Sequence, residues 1–424
     1  MIERLLAALD SGDVFLTGGA GTGKSYLTNA VIAHYRREGK QVVPLGSTGV
    51  SAVNIGGFTV HSFFAFGLAS NFDELAHNDR YAKNRVRELK KILAQTDLIV
   101  IDEISMISAD LLDMIAYRLE SAGYKGRVLF VGDFFQLPPI QQGRSDIFGD
   151  KLYAFEALAW ERFDPIVVEL TEMKRTHDAT FTQILSKVRY GICDEEVTAY
   201  MMRLWNNEAP LLATRLYGRN EEVERINREE LNRLPSEETL MFAEITLHKK
   251  VHEKRLEQWM RNLPVSRVLT LKVGAPVLFT VNKWGKFVNG ERGRVHHIDD
   301  DFIIVEKDEE FVRVERHDFE LNETEVDDDG QLRIISAATL SQFPLKLAYA
   351  VTIHKSQGMS IDGLVCNVDH IFAPSQFYVA ISRAVDPAHL QIEYHRGDLS
   401  AYLQRVVRID ERVRAFYGAL AHKP

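Results

Sequence analysis

The chain is poor in cysteine, has no long apolar run and has no excess of basic residues. Its two cysteines, Cys193 and Cys366, sit near no Cys-x-x-Cys or Cys/His cluster, which argues against a structural zinc site. A disulfide between them stays open in principle, but two buried free thiols in a reducing compartment fit better. No stretch of about 18 apolar residues occurs, so no membrane-spanning helix is expected. The N-terminal Met1–Leu9 is a short amphipathic stretch carrying Glu3 and Arg4 and lacks a signal-peptide pattern, so a cytoplasmic location is expected. No internal repeat and no low-complexity tract is visible. The net charge of −9 lowers the expectation of tight, non-specific duplex binding. The acid is concentrated, however: Asp301–Gly330 carries a net −10, leaving about +1 on the rest, and a strand-binding groove needs only local basic residues.

What is present is a soluble-protein balance, 46% apolar and 26% charged, over 424 residues, enough for about three domains. Asp13–Thr17, Gln41–Gly46, Leu98–Ile101 and Arg127–Val131 read as short buried strands, with a helix at Lys24–Arg37. That alternation predicts a parallel sheet with helices on both faces, an α/β domain over 1–169. The pattern restarts with helices at Phe181–Arg189 and Glu221–Leu234 and strands at Leu347–Thr352 and Leu364–Asn367. This predicts a second α/β domain over 170–244 and 336–424. Between its halves, 245–335 alternates apolar and polar residues (Val268–Leu271, Ala275–Phe279, Phe302–Val305, Phe311–Val314) with turns at Asn289–Gly290 and Asp329–Gly330. Such hairpins predict a small antiparallel β-barrel inserted into the second domain. A smaller insertion, 67–93, interrupts the first.

Gly18-Gly19-Ala20-Gly21-Thr22-Gly23-Lys24-Ser25 fits GxxxxGK[ST] between a strand and a helix. Its glycines let backbone N–H groups converge on phosphate oxygens at the positive end of a helix. Lys24 would sit on the β/γ-phosphates, and the Ser25 hydroxyl would be a ligand for Mg²⁺. Tyr26 follows as a further candidate contact to the nucleotide. Asp102 and Glu103 end an apolar strand at the sheet edge where ligands bind. Asp102 is expected to hold Mg²⁺, largely through water, and Glu103 to orient and deprotonate the attacking water. In Gly132–Pro139, Gln136 can hydrogen-bond a γ-phosphate oxygen; the alternative is a hydrophobic turn closed by prolines.

These segments resemble, in order, those of the PIF-type DNA helicases within superfamily 1B, near the RecD-like enzymes. The matches are LTGGAGTGKS (Leu16–Ser25), STGVSAVNIGGFTVHSFF (Ser47–Phe64), IVIDEISMIS (Ile99–Ser108), VGDFFQLPPI (Val131–Ile140), LTEMKRT (Leu170–Thr176) and RLYGRNEEVERIN (Arg215–Asn227). VGAPVLFTVNKWGKFVNGERGRV (Val273–Val295), LAYAVTIHKSQGMSID (Leu347–Asp362) and YVAISRA (Tyr378–Ala384) complete the set. The resemblance implies two RecA-like P-loop motor domains with parallel sheets, each with an insertion, and ATP with Mg²⁺ in the cleft between them. Arg175 and Arg383 resemble the arginines that reach the γ-phosphate from the second domain, where a guanidinium fork can clamp charge spreading over phosphoryl oxygens. Gly358 resembles the glycine that lets the His-Lys-Ser-Gln loop approach the nucleotide. No Gln precedes the phosphate loop, so the reading of adenine is left open.

Thr48, Gly49, His61, Ser62 and Phe63 resemble strand-contacting residues of the first domain. Thr352, His354, Lys355 and Ser356 resemble those of the second, with Asn220 a further candidate. Hydroxyls, imidazoles and backbone N–H groups contact phosphates without reading sequence. Phe63, Phe64 and Phe66 either offer a ring to a base or pack in the core. Arg80, Lys83, Arg87, Lys90 and Lys91 form one face of a helix, either against a phosphate backbone or simply solvated. The expectation is a motor of bacterial or phage type that moves 5′ to 3′ on single-stranded DNA and unwinds a duplex carrying a 5′ tail. The insertion would act as the wedge, with Leu68 and Phe72 as apolar tips. A translocase that strips proteins with little unwinding, or an ATP-gated binding module, are the alternatives.

Overall fold

Inner strands of the first sheet send alternate side chains into two separate cores, which is why they read as unbroken apolar runs. The computed structural model describes residues 1–424 apart from 68, 70, 81, 140–150, 211, 212, 284, 327–331 and 421–424. Six strands form this sheet: β1 Val14–Gly18, β2 Val42–Gly46, β3 Phe58–Thr59, β4 Leu98–Asp102, β5 Arg127–Val131 and β6 Ile166–Leu170. Their order is β3-β2-β4-β5-β1-β6 and every pair is parallel. Phe15, Ile99, Ile101 and Phe130 enter one core, whereas Val14, Leu16, Leu98, Val100 and Leu129 enter the other.

A second parallel sheet has the spatial order Ala350–Thr352, Thr214–Tyr217, Leu364–Asn367, Leu390–Glu393. It shares its own core with the helices Ala179–Arg189, Glu195–Trp205 and Leu399–Val406. The α/β class with two RecA-like units therefore holds. One strand reading needs correction. Leu347–Thr352 is two strands: Leu345–Leu347 joins an antiparallel sheet and Ala350–Thr352 the parallel one. Burial on both sides of the junction made the two read as one run.

Antiparallel strands run from Thr239 to Leu347 in sheets of two, three and five, around one core that includes Leu271, Phe279, Val305, Phe319 and Leu340. The proposed insertion is therefore better drawn as 239–347 than as 245–335. Asp329 and Gly330 lie outside the described residues, as does Leu68. The smaller insertion holds helices Phe72–Asp79 and Lys83–Gln95. Phe72 thus opens a helix rather than tipping a loop; it is 45% exposed, with its ring edge-on to Tyr117. The buried Arg118 fastens this insertion: its guanidinium donates to both Asp79 oxygens, at 2.8 and 2.6 Å, and to the Phe64 carbonyl.

The chain then returns. After Leu399–Val406 in the second core, Ile409, Val413, Phe416 and Tyr417 pack against the first, so the helix Glu411–Leu420 rests on the domain where the sequence began. Cys193 and Cys366 are free thiols. No described helix is long and apolar enough to cross a membrane.

Candidate nucleotide and strand-binding site

Parallel strands bring their following loops to one sheet edge, and here that edge faces the second core across a cleft of about 270 Å³. The loop after β1 supplies Ala20, Gly21, Gly23, Lys24, Ser25 and Tyr26, with Glu103 and Gln136 beside it; Arg175, Gly358 and Arg383 close it opposite. Gly21 adopts φ +80°, and a Cβ there would stand 2.6 Å from Cβ of Arg175, so only glycine admits this approach. Gly18 and Gly19 give their carbonyls to the Lys24 ammonium at 2.8 and 3.0 Å, and the buried Thr22 hydroxyl donates to Gly19. Burial lowers the Lys24 pKa, against the pull of Asp133 and Glu103. Tyr26 is 79% exposed at the cleft mouth.

Asp102 and Glu103 stand at the end of β4. Burial, then the neighbouring Glu103, push the Asp102 carboxyl up to about 7. Glu103 sits in left-handed backbone (φ +54°), and its carboxylate accepts a hydrogen bond from Gln357 Nε2 at 3.0 Å. Gln136 is buried. No group of three or more acidic, His or Cys side chains suited to a metal occurs among the described residues. Ser25 and Asp102 therefore fit a cation such as Mg²⁺, which takes one or two protein oxygens and completes its shell with phosphate and water.

Across the cleft, Arg175 donates to the Ser360 hydroxyl at 2.9 Å and to the Ser382 carbonyl. The buried Arg383 donates to the Val379 carbonyl and the Ser382 hydroxyl. Among the described residues neither pairs with a carboxylate. Burial, then Arg383 alongside, lower the Arg175 guanidinium to about 9, and burial lowers Arg383 too. Two buried cations without an anion make a site that favours a polyphosphate.

Sequence reasoning missed three connections between the halves. Asp133, fully buried in the Gly132–Pro139 loop, takes a two-pronged ion pair from Arg189 of helix Ala179–Arg189, at 2.9 and 3.0 Å. Tyr378 accepts from the Ala20 amide in the phosphate loop at 2.9 Å. Gln357 reaches Glu103. Asp133 and Gln357 lie inside quoted motifs, but their partners are remote in sequence and carry no local signal.

The strand-binding candidates divide. Thr48 caps the helix Gly49–Ile55, its hydroxyl accepting from Ser51. A Cβ on Gly49 would stand 2.2 Å from the Asn262 carbonyl, so helix Glu253–Asn262 of the antiparallel insertion lies directly over it. His61 and Ser62 are partly exposed, and burial lowers the His61 pKa. Phe63 corrects the stacking expectation: it is 6% exposed, with its ring against Phe58 and Phe64, and Phe64 and Phe66 are fully buried. The short helix Val60–Phe63 turns its rings inward. Lys355 is exposed, His354 is partly exposed, and Thr352 is buried. Ser356 is also corrected: it is fully buried, and its hydroxyl donates to the Ile353 carbonyl, shaping the turn. Asn220 is exposed at the start of helix Asn220–Arg233. Phe372, unremarked in the sequence, is 58% exposed with its ring near-parallel to His354 at 6.4 Å. A lone phenylalanine gives no sequence signal.

A family model described as PIF1-like helicase matches residues 2–199. The chain is 38% identical to a protein named ATP-dependent DNA helicase Pif1 from Campylobacter jejuni, over 98% of this chain and 97% of that one. It is also similar to a Bacteroides Pif1 structure in complex with ADP-AlF4, at 26% identity and TM-score 0.82, covering 99% of this chain and 96% of that one. Against a Bacteroides Pif1 structure bound to single-stranded DNA the TM-score is 0.68, with the same identity and coverage.

Proposed function

The chain belongs to the PIF1-like helicase family, and from that premise we propose that it hydrolyses ATP to move 5′ to 3′ along single-stranded DNA and to open duplex ahead of it. The observation that carries the nucleotide half is the pair of buried, anion-free guanidinium groups, Arg175 and Arg383, facing the phosphate loop. ATP would bridge them to Lys24, so the cleft closes with nucleotide and relaxes after hydrolysis. Mg²⁺ on Ser25 and Asp102 would neutralise charge developing on the phosphates. Glu103 orients the attacking water and takes its proton, with Gln357 fixing the carboxylate. Gln136 reports the γ-phosphate.

Residues 1–169 form one grip and 170–244 with the C-terminal part the other, joined by the insertion at 239–347. The strand is held by Thr48, Gly49, His61, Ser62, Asn220, His354 and Lys355, through phosphates. Phe372 supplies the ring face expected earlier of Phe63. Helix Glu253–Asn262 lies over Gly49 here, which fits a strand-free state, as does the higher likeness to a relative without DNA. The decisive experiment measures ATP hydrolysis with and without single-stranded DNA, then unwinding of duplexes with a 5′ or a 3′ tail. Strand-stimulated turnover and opening from the 5′ tail alone are expected. Turnover indifferent to DNA, or efficient opening from a 3′ tail, would overturn the motor or the polarity respectively.

A further inference from the structure

The helix Glu411–Leu420 does more than cover a core. Its Tyr417 hydroxyl is 2.8 Å from the Thr17 hydroxyl, one residue before the phosphate loop. The same oxygen accepts the Phe134 amide at 3.3 Å, in the loop that carries Gln136. Its ring stacks on Phe135, with centroids 4.4 Å apart and planes 20° off parallel. The Arg189 guanidinium lies over Phe135 at 4.6 Å and within 5.8 Å of the Tyr417 ring, while pairing with Asp133. Beside it, Phe416 stacks on Phe155 at 4.3 Å and meets Phe134 edge-on, contacts that are purely apolar.

We propose that Tyr417 is a positioning residue for the nucleotide chemistry, fixing the loop of Gln136 against the strand that enters the phosphate loop. Parallel strands β1 and β5 are hydrogen-bonded neighbours, but their pairing ends at Leu16 and Val131. Beyond that point the two loops diverge toward opposite sides of a phosphate, and the ladder no longer sets their spacing. The phenol replaces the missing rung: one oxygen serves a group from each loop, in a buried site where hydrogen bonds are directional. The stacked Phe135 and Arg189 then pass that spacing to the second domain. Gln136 is thereby held at a fixed distance from the phosphates by a residue from the other end of the chain. The proposal rests on the reading of Gln136 as the γ-phosphate contact.

The test compares Tyr417→Phe, which keeps the ring and loses both hydrogen bonds, with Phe416→Leu, which weakens apolar packing on the same helix. Turnover and KM for ATP are measured on the full chain with saturating single-stranded DNA, beside the thermal midpoint. Tyr417→Phe should lower kcat roughly five-fold, the scale of one buried hydrogen bond, with KM within two-fold. Phe416→Leu should lower the midpoint by several degrees and leave kcat within two-fold. If kcat is unchanged in Tyr417→Phe while wild type shows strand-stimulated turnover, the positioning role is wrong and the ATPase reading stands. If both variants lose kcat in step with their midpoints, the helix is only structural and the proposal fails. If wild type shows no strand-stimulated turnover, the functional reading falls first and takes this proposal with it.

Discussion

Replacing Arg189 by Met should strand a charge. Asp133 has no exposure, the Arg189 side chain is 8% exposed, and two hydrogen bonds of 2.9 and 3.0 Å join them. Burial works against the guanidinium's charge, yet the carboxylate alongside raises its pKa well above the ordinary value, so the pair is charged as a unit. Met preserves much of the stem's volume against Phe135 and removes the cation. Losing one partner of such a buried pair costs about 3–5 kcal/mol, because the remaining ion has neither water nor a counter-charge. At roughly 2–4 °C per kcal/mol for a domain of this size, the thermal midpoint should fall by about 10 °C. Adding Asp133→Asn removes the stranded charge and should restore more than half of the loss. Differential scanning fluorimetry on wild type, the two single variants and the double variant closes the cycle. A fall under about 2 °C in Arg189→Met, or losses that simply add in the double variant, would refute the assignment of this pair as a coupled ionic bolt between the halves.

Glu103→Gln should bind ATP normally and lose roughly 10²–10⁴-fold in turnover, read by a coupled ATPase assay beside nucleotide fluorescence. Arg175→Ala and Arg383→Ala should each lose on the order of 10³-fold in kcat with milder loss of nucleotide affinity; near-normal rates in both would mean that the second domain does not complete the site. Phe372→Ala should weaken single-strand binding by about 1–3 kcal/mol in fluorescence anisotropy while sparing ATP binding, and Phe372→Trp should retain it. Replacing Gly67–Asn78 with a Gly-Ser linker, leaving the Asp79–Arg118 anchor, should abolish unwinding and keep strand-stimulated hydrolysis; full unwinding by that variant would remove the wedge assignment.

Legibility in the sequence followed how local the determinants were. Helix Lys24–Arg37 and strands Arg127–Val131 and Leu364–Asn367 lie where expected, because periodicity and a Gly-rich loop define them within a few residues. The two-sheet α/β class was legible for the same reason. The phenylalanines after His61 were misjudged as available rings because a four-residue helix decides which way they point. Ser356 failed likewise: its hydroxyl closes a turn, which a motif letter does not reveal. Arg189, Tyr378 and Tyr417 could not be singled out at all. Each acts through a partner more than 50 residues away, and nothing near it in sequence marks the partner.

The return of the helix Glu411–Leu420 to the first core has a consequence for how this chain is made. Phe15 and Phe134 bury part of their surface against Phe416, and Thr17 meets Tyr417 across 400 residues. A domain that begins folding as it leaves the ribosome must wait, with that apolar face uncovered, until nearly the whole chain has been synthesised. At roughly 5–20 residues per second that interval lasts tens of seconds, long enough for aggregation to compete with completion. Chains released early, or extended by bulky C-terminal fusions, should therefore suffer first in soluble yield. The damage would show in the N-terminal half, where no residue has been altered.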